Sequence, residues 1–465
     1  MTSQPSRIGE QPAPSRGEPR ELTLAVGAPA HGGHCVARPV DDPGGRVIFV
    51  RHALPGETVR ARLTEMTSRT WRADAVEILQ ASPDRVESVW PEAGPAGVGG
   101  GELAHVALDA QRTWKRWVLA DCLRRIGGQE VADAVAALPE ASGAAAVPVE
   151  PMPTDAAAQA SSSARRRALA GTATRTRISL TVSEDGRPGM HAFRSGTVLP
   201  LRRLPLAVGA ITEIGLLERS RWRAHYRPGM RIEAIAPSGG EPVVLLDERL
   251  LTAQARSTGR RRVREVVDAS ALGLGELTYS VHAEGFWQVH VDAPRVLVER
   301  VVRGALGEDL EGAAGSRVLE LYSGAGLFTL PLAALVGDSG QVLSLEGNEQ
   351  AVRDARRTLH DHPAAHLASG RVSARSVREL AGSFKGGRPD VVVLDPPRQG
   401  AGREVVEAVG ALGAERIVLV ACDPAALARD LGTLLRAGYA LGSMSALDMF
   451  PHTHHFETIA VLERP

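Results

Sequence analysis

Four aliphatic runs in the last third of the chain each stop at a residue type that could do chemistry. They stop at a glycine turn (SGAG, Ser323 to Gly326), at Glu346, at Asp395 and at Cys422. Runs of this kind, separated by helical stretches, predict a parallel sheet, and the carboxyl ends of its strands form the edge where ligands bind. A glycine turn, two acids and a thiol would therefore surround one ligand. The set predicts a nucleotide-like cofactor beside a nucleophilic cysteine.

The glycine turn and Glu346 together indicate nucleoside binding. Gly324 and Gly326 allow the backbone to approach a ligand closely, and the amino end of the helix that follows favours polar or anionic groups. Glu346 comes about twenty residues later, where a carboxylate can accept both hydroxyls of a ribose. Thr329 replaces the third glycine of a dinucleotide fingerprint. A dinucleotide oxidoreductase would share this turn and Glu346, but it would not explain the thiol.

Asp395 is followed by two prolines, which remove two backbone donors and fix two φ angles. They predict a stiff lip that presents Asp395 to the ligand, although an ordinary strand-ending turn is the alternative. Methyltransferases that act on the amino group of adenine use a similar lip, with an aromatic residue after the prolines. Here that residue is Arg398.

Cys422 and Glu457 are the candidate nucleophile and base. Cys422 ends an aliphatic run just before a helical stretch, where we expect a lowered thiol pKa; the alternative is a buried apolar cysteine. Glu457 opens the last strand-like run and could return to the site as a general base. Three histidines precede Glu457, but no acid or cysteine completes a metal-ligand spacing, so we predict no metal site.

Composition narrows the class of protein. A chain of 465 residues holds roughly two to four domains. The net charge is formally zero, yet residues 155–265 carry twenty arginines and ten acids. This surplus indicates either a surface that faces phosphate or only that arginine is the usual cation in this chain. Three cysteines without a CxxC spacing exclude a disulfide framework and predict a reduced, cytoplasmic setting. No signal peptide or membrane span is visible.

The segments predict an α/β fold class with a Rossmann-like C-terminal sheet, an N-terminal small β-barrel and a β-rich middle domain. We predict a disordered tail at 1–20, the barrel at 21–80, a middle region at 81–270 and the cofactor domain at 271–465. Residues 129–171 are rich in Ala, Ser and Pro, which indicates a linker or a poorly ordered insertion. A small barrel of this kind is either a nucleic-acid module or a structural cap.

The motifs together resemble those of the RNA 5-methyluridine methyltransferases, and the resemblance covers most of the chain. DPPR-x-G, C-[ND]-P and a final H-x-E form a specific combination. The segments that carry the resemblance are FWQVH with Gln288, ELYSGAG with Tyr322, the ribose acid Glu346, DPPRQG with Asp395, ACDP with Cys422, and FPHTHHFE with Glu457.

This resemblance implies S-adenosylmethionine as cofactor and uridine in tRNA or 23S rRNA as substrate. Gln288, Tyr322, Gly324, Gly326, Glu346 and Asp395 would bind the cofactor, Cys422 would be the nucleophile and Glu457 the base. The barrel would be a TRAM domain, an OB-like RNA binder, and the middle region would recognise RNA. We expect a monomer that is not bound to a membrane. The alternatives are an RNA-binding protein with an inactive methyltransferase domain and an S-adenosylmethionine enzyme acting on another base.

Three departures from the family pattern carry expectations of their own. Several members hold an iron–sulfur cluster with four cysteines after the barrel, and residues 91–106 contain none. We therefore expect no cluster and a loose loop at 93–101. His290 replaces an asparagine of the glutamine segment, and Leu327 replaces an asparagine after the cofactor turn. Either change could alter cofactor affinity or target choice.

Overall fold

A computed structural model describes residues 20–465, which form two compact units. The first contains residues 20–30 and 34–83, and the second contains residues 31–33 and 84–465. The disordered tail predicted for residues 1–20 lies, except for Arg20, outside the described residues. None of the described helices is both long and apolar enough to cross a bilayer.

The first unit is a closed five-stranded barrel, as the alternating runs of the sequence predict. Leu24, Ile48, Val50 and Val59 point inward and are fully buried. Cys35 is a free thiol and is buried as well. The strand order is β1-β2-β3-β5-β4. The strands are β1 (Glu21–Ala30), β2 (His34–Pro39), β3 (Ile48–Arg51), β4 (Thr58–Met66) and β5 (Trp71–Gln80).

The second unit contains the remaining strands and all the described α-helices. The strands are β6 (Val149–Pro151), β7 (Arg177–Val182), β8 (Pro188–His191), β9 (Val198–Pro200), β10 (Arg231–Ile235), β11 (Val243–Leu246), β12 (Arg249–Thr252), β13 (Arg262–Asp268), β14 (Glu276–His282), β15 (Arg317–Leu321), β16 (Gln341–Glu346), β17 (Ala365–Ser369), β18 (Val391–Leu394), β19 (Arg416–Ala421), β20 (Ala440–Asp448) and β21 (Glu457–Glu463). The helices are α1 (Leu108–Cys122), α2 (Gln129–Ala136), α3 (Pro153–Gln159), α4 (Ala164–Ala168), α5 (Gly209–Thr212), α6 (Ser220–Arg223), α7 (Ala293–Leu306), α8 (Thr329–Val336), α9 (Glu349–Thr358), α10 (Ala374–Ala381), α11 (Arg403–Ala411) and α12 (Pro424–Arg436).

The large sheet of this unit is the predicted Rossmann-like sheet. Its eight strands run in the order β17-β16-β15-β18-β19-β21-β20-β6. Its central strands are apolar on both faces because helices cover both. Ile417 and Leu419 of β19 pack in a core with α1, α2, α10, α11 and α12, whereas Val418 and Val420 pack in a core with α7, α8 and α9.

The strand order reverses beside β15, and this reversal positions the site. The chain proceeds from β15 to β16 and β17 on one side, then returns to β18 and β19 on the other. The two crossovers leave in opposite directions, so a crevice forms at the carboxyl ends of β15 and β18. β21 runs antiparallel to β19. The first residue of β21 therefore lies at the same edge as the last residue of β19.

The middle region contains a six-stranded sheet of order β12-β11-β10-β7-β8-β9 and a separate pair, β13-β14. Leu180, Ile232 and Val244 from three of these strands pack around the fully buried Trp222. The structure thus contains the predicted β-rich middle domain. Residues 84 to about 160 do not all belong to this domain. Helices α1 and α2 pack against the large sheet, and β6 is one of its strands.

The segment predicted to be a linker, residues 129–171, is instead an ordered part of the large-sheet unit. β6 pairs in parallel with β20 and so forms the edge strand of the large sheet. Val135 and Ala141 are fully buried in one core of that sheet and Met152 in the other. Alanine is both a linker residue and the best helix former, so composition alone could not separate the two outcomes.

The loop predicted to be loose, residues 93–101, is also fixed. Its backbone turns are closed by hydrogen bonds, including one from the amide of Val98 to the carbonyl of Glu92 at 2.9 Å. Ala93 and Val98 are buried in the core of the middle sheet with Trp90. Apolar packing holds this loop in place.

Candidate active site

The large sheet brings seven of the eight predicted site residues to one edge. β15 is paired in register with β16 and β18, so Tyr322, which follows β15, lies between Glu346 and Asp395. β18 is paired with β19, and β19 with β21. Cys422, just beyond β19, is therefore a neighbour of Glu457, the first residue of β21.

The glycine turn after β15 has the conformation that its sequence predicts. Tyr322 and Gly324 have φ angles of 64° and 55°, which lie in the left-handed region that favours glycine. A Cβ placed on Gly324 would meet no atom within 4 Å. This side of the turn therefore borders open space that a ligand can enter. Gly326, with a φ of 87°, faces Ala355 of α9, so its lack of a side chain permits close helix packing.

Glu346 accepts a backbone hydrogen bond on each carboxylate oxygen. The amide of Gly324 donates to Oε2 at 2.9 Å, and the amide of Asn348 donates to Oε1 at 2.6 Å. Each oxygen keeps a second lone pair that can accept a further donor. These bonds fix the carboxylate at the end of β16 beside the turn, in the position that a ribose acid would take.

Asp395 and Glu457 form the acidic part of the edge. Burial and the nearby Glu346 raise the pKa of Asp395 to about 7. Burial and the nearby Asp395 raise the pKa of Glu457 well above its usual range. Oε1 of Glu457 is buried and has no hydrogen-bond partner among residues 20–465. Burial without a hydrogen-bond donor therefore favours the protonated form of this carboxyl.

The prediction that the Cys422 thiol has a lowered pKa is wrong. Cys422 lies just ahead of α12, and Asp423 caps that helix by accepting the amides of Ala425 and Ala426. Burial raises the pKa of the thiol to about 12, and the carboxylates of Glu457 and Asp395 add to the effect. The helix terminus alone suggested a thiolate, but burial and the acids that the fold brings near it favour the thiol.

Two parts of this chain match known protein families. Residues 275–465 match the family described as tRNA (uracil-5-)-methyltransferase, and residues 18–76 match the TRAM domain. An RNA methyltransferase of Streptomyces avermitilis is 38% identical over 95% of this chain and 98% of its own length. This chain belongs to the tRNA (uracil-5-)-methyltransferase family. The Rossmann-like sheet is accordingly its methyltransferase domain, and the barrel is its TRAM domain.

Two further proteins extend the comparison. A 23S rRNA (uracil(1939)-C(5))-methyltransferase of Acinetobacter baumannii is 30% identical over 94% of this chain and 92% of its own length. The crystal structure of the Pyrococcus abyssi tRNA (uracil-54, C5)-methyltransferase with S-adenosyl-L-homocysteine superposes with a TM-score of 0.62. It covers 94% of this chain and 99% of that one at 20% identity. This likeness confirms the fold.

Gln288 is the predicted site residue that the sheet does not position. It lies between β14 and α7 and is buried. No hydrogen bond joins it to the other site residues within the described part of the chain.

His290, where the family often has asparagine, is buried and donates from Nε2 to Asp155 at 3.1 Å. Its Nδ1 accepts the amide of Asp292 at 3.1 Å. In this chain His290 therefore links Asp155 of α3 to the residue just before α7.

Glu320 is a residue of the site that sequence reasoning missed. It lies in β15 beneath the glycine turn, and burial together with Asp395 and Glu346 raises its pKa to about 8. Thr329 donates to its Oε2 at 2.6 Å, while its Oε1 has no partner among the described residues. Thr329 was noted only as a missing glycine. An acid inside an aliphatic run was the available signal for Glu320.

The histidines before Glu457 bind protein groups. Within residues 20–465, no cluster of three or more His, Cys, Asp or Glu side chains is arranged to hold a metal ion. His454 is hydrogen-bonded through Nδ1 to Glu102. Its ring lies 3.9 Å from that of His455, centroid to centroid. Burial and the nearby His454 lower the pKa of His455 to about 3, which leaves that ring neutral.

Proposed function

We propose that this protein methylates C5 of uridine in structured RNA through a covalent bond between Cys422 and C6 of the base. The observation that carries the proposal is the shared edge of Cys422, Asp395 and Glu457 beside a nucleoside turn. Membership of the uracil-5 family supports the choice of base. Because the nucleophile and the base are both present, the geometry favours an active enzyme over an RNA-binding protein with an inactive domain.

The cofactor that the family implies is S-adenosylmethionine, and the residues of the edge fit it. Glu346 would accept its ribose hydroxyls on the free lone pairs. Tyr322, Gly324 and Gly326 would form the turn that approaches it, and Gln288 and Asp395 would contact it from the sides. The space beside Gly324 is open, as such a ligand requires. When bound, this cofactor supplies an electrophilic methyl group.

Cys422 makes C5 reactive. Uridine C5 is a poor nucleophile, and addition of sulfur at C6 moves electron density onto C5 through an enolate. With its pKa raised to about 12, the thiol is almost fully protonated before the base arrives. Its proton must therefore pass to an acceptor as the sulfur adds to C6. We infer that the Asp395 carboxylate, whose charge acts on this thiol, takes that proton and returns it when the sulfur is expelled.

Glu457 completes the reaction. After C5 carries its new methyl group, the C5 proton must leave so that elimination can expel the sulfur and restore the ring. Glu457 removes this proton as general base. Its raised pKa makes it a stronger acceptor once it is ionised. Asp395 lies between the site of the uracil and the cofactor turn. Its charge therefore acts on both.

RNA must reach this edge with the target base exposed. A paired base is inaccessible to the thiol, so the uridine is either flipped out or already unpaired. The TRAM barrel and the arginine-rich middle domain would bind the surrounding RNA. We propose tRNA or 23S rRNA as the substrate, because family members with these two targets are similar to the chain over most of its length.

A trapping experiment tests the covalent step. RNA transcripts of tRNA and of 23S rRNA are made with 5-fluorouridine, which has no C5 proton to lose. With the cofactor present, a protein–RNA adduct should survive denaturation, and peptide mapping should place it on Cys422. Methylation of ordinary RNA without any trapped adduct would contradict the covalent route. Mapping 5-methyluridine in cellular RNA with and without the gene would identify the target.

A further inference from the structure

The segment between β20 and β21, residues 449–456, leads directly into Glu457; we call it the tail turn. His452, near its middle, has a φ of 66°. Residues other than glycine are found in this left-handed region only when their surroundings hold them there. The strain lies five residues before the proposed base, so the groups that hold His452 also hold the segment that leads into Glu457.

Gln111 of α1 holds His452. Its side-chain oxygen accepts the amide of His452 at 2.7 Å, and its side-chain nitrogen lies 3.2 Å from Nδ1 of the same residue. That nitrogen also donates to the carbonyls of Leu103 and Val106 at 3.2 and 2.8 Å. The amide of Leu103 donates to the carbonyl of His452 at 3.0 Å. Both backbone groups of the strained residue are thus bound from outside the tail turn.

Two more buried side chains bind the tail turn on either side of His452. Glu102 accepts the amide of His454 at 3.1 Å and is also hydrogen-bonded to its ring. Lys115 of α1 is fully buried, pairs with Asp448 at the end of β20 and donates to the carbonyl of Phe450 at 3.1 Å. Burial lowers the pKa of Lys115, and a buried amine of this kind is kept only when it is paired.

These bonds form a clamp made of Glu102, Gln111 and Lys115. All three residues come from a segment that precedes the methyltransferase domain in sequence, and they bind the tail turn and Asp448, the residue just before it. We propose that this clamp positions Glu457 for removal of the C5 proton, and that Gln111 is its principal residue. The inference rests on the proposed function. It adds three positioning residues that touch neither the base nor the cofactor in the proposed mechanism.

The step that should respond to the clamp is release of the methylated RNA. The thiol comes from β19, which the clamp does not touch, so addition to C6 and methyl transfer should proceed without it. Proton removal needs the Glu457 carboxylate at a fixed position, and a shift of about 1 Å can cost a hundredfold in rate. A residue that only stabilises the fold would slow both steps alike.

The test is a single-turnover reaction with a labelled methyl group, followed over time on denaturing gels. Label in the protein–RNA adduct reports methyl transfer, and label in free RNA reports release. Gln111→Leu should leave methyl transfer within about threefold of the unaltered protein and slow release at least about tenfold. Arg116→Met is the matched control: Arg116 lies on the same helix but donates to Ala146 and Ala141. It should not change the ratio of the two rates.

A second pair of variants isolates the strain. In the Gln111→Leu background, His452→Gly and His452→Ala both remove the ring, but only glycine adopts a positive φ readily. The glycine variant should release RNA about five- to tenfold faster than the alanine variant. Equal release rates would overturn the role assigned to the left-handed residue.

Folding and function are checked separately. If Gln111→Leu does not fold, the paired change Lys115→Met with Asp448→Asn removes a buried ion pair together and is read by the same ratio. The positioning role is wrong if the unaltered protein methylates RNA and the variant slows methyl transfer and release equally, or slows neither. If the unaltered protein bound cofactor and RNA but transferred no methyl group, the proposed function would fail, and this inference with it.

Discussion

Glu346 and Glu457 are both acids at one edge of one sheet, yet the fold treats them in opposite ways. Glu346 accepts a backbone amide on each oxygen. Glu457 is buried with one oxygen that has no hydrogen-bond partner among the described residues, and its pKa is raised. Hydrogen bonds from donors favour a carboxylate, whereas burial without them favours the carboxylic acid.

The difference separates the roles of the two acids. A group that grips a ligand must keep one position and one charge in every state of the reaction, so fixed donors help it. A group that takes up a proton must be able to change charge, so fixed donors would hinder it. We therefore expect loss of Glu346 to affect binding and loss of Glu457 to affect chemistry.

The largest effect on methyl transfer is expected when the Cys422 thiol is removed. Cys422→Ala should lower methyl transfer to RNA by a factor on the order of 10⁴ or more, because no other group would add to C6. Binding of S-adenosylhomocysteine, measured by calorimetry, should be nearly unchanged. A variant that methylated RNA at a comparable rate would show that catalysis does not need this sulfur.

Glu457→Gln should bind cofactor normally and stall after methyl transfer. Loss of a general base costs about 10²–10⁴-fold, so methylated RNA should accumulate as a covalent adduct on Cys422. Single-turnover reactions with labelled cofactor, run on a denaturing gel, measure it. Rapid release of free methylated RNA would assign the proton to another group, with His455 the next candidate.

Glu346→Gln should instead weaken cofactor binding. Loss of hydrogen bonds to a charged group costs about 1.5–3 kcal/mol, so the Kd for S-adenosylhomocysteine should rise by roughly one to two orders of magnitude. At saturating cofactor, release from the adduct should match that of the unaltered protein. If Glu346→Gln stalled as an adduct instead, the division between the two acids would be wrong.

The smallest effect concerns Glu320, the buried acid beneath the glycine turn, which accepts one hydrogen bond from Thr329. Its pKa is about 8 in the folded protein and about 4.3 in an unfolded chain. Between these values the folded state binds more protons than the unfolded state, so the stability due to this group falls as pH rises. Thermal melting from pH 5 to 8 should therefore show a smaller loss of Tm in Glu320→Gln than in the unaltered protein. An unchanged slope would contradict the raised pKa.

Local patterns sufficed for the sheet and for the position of its edge residues. Each strand ends where an aliphatic run meets Glu346, Asp395 or Cys422, and alternation along the chain was enough for the barrel. The properties that depend on residues far apart in sequence were not predicted. The thiol pKa is set largely by burial and by Glu457 and Asp395, which only the fold brings close. The clamp likewise joins Gln111 to His452 across most of the chain.

The edge strand β6 has a consequence for synthesis. It is made well before its partner β20, because most of the second unit lies between them in sequence. An unpaired strand edge invites pairing with other chains, and β6 stays without its partner until β20 has been made. We therefore expect the nascent chain to depend on chaperones until β20 emerges. A fragment confined to residues 271–465 would expose the same edge permanently and should aggregate.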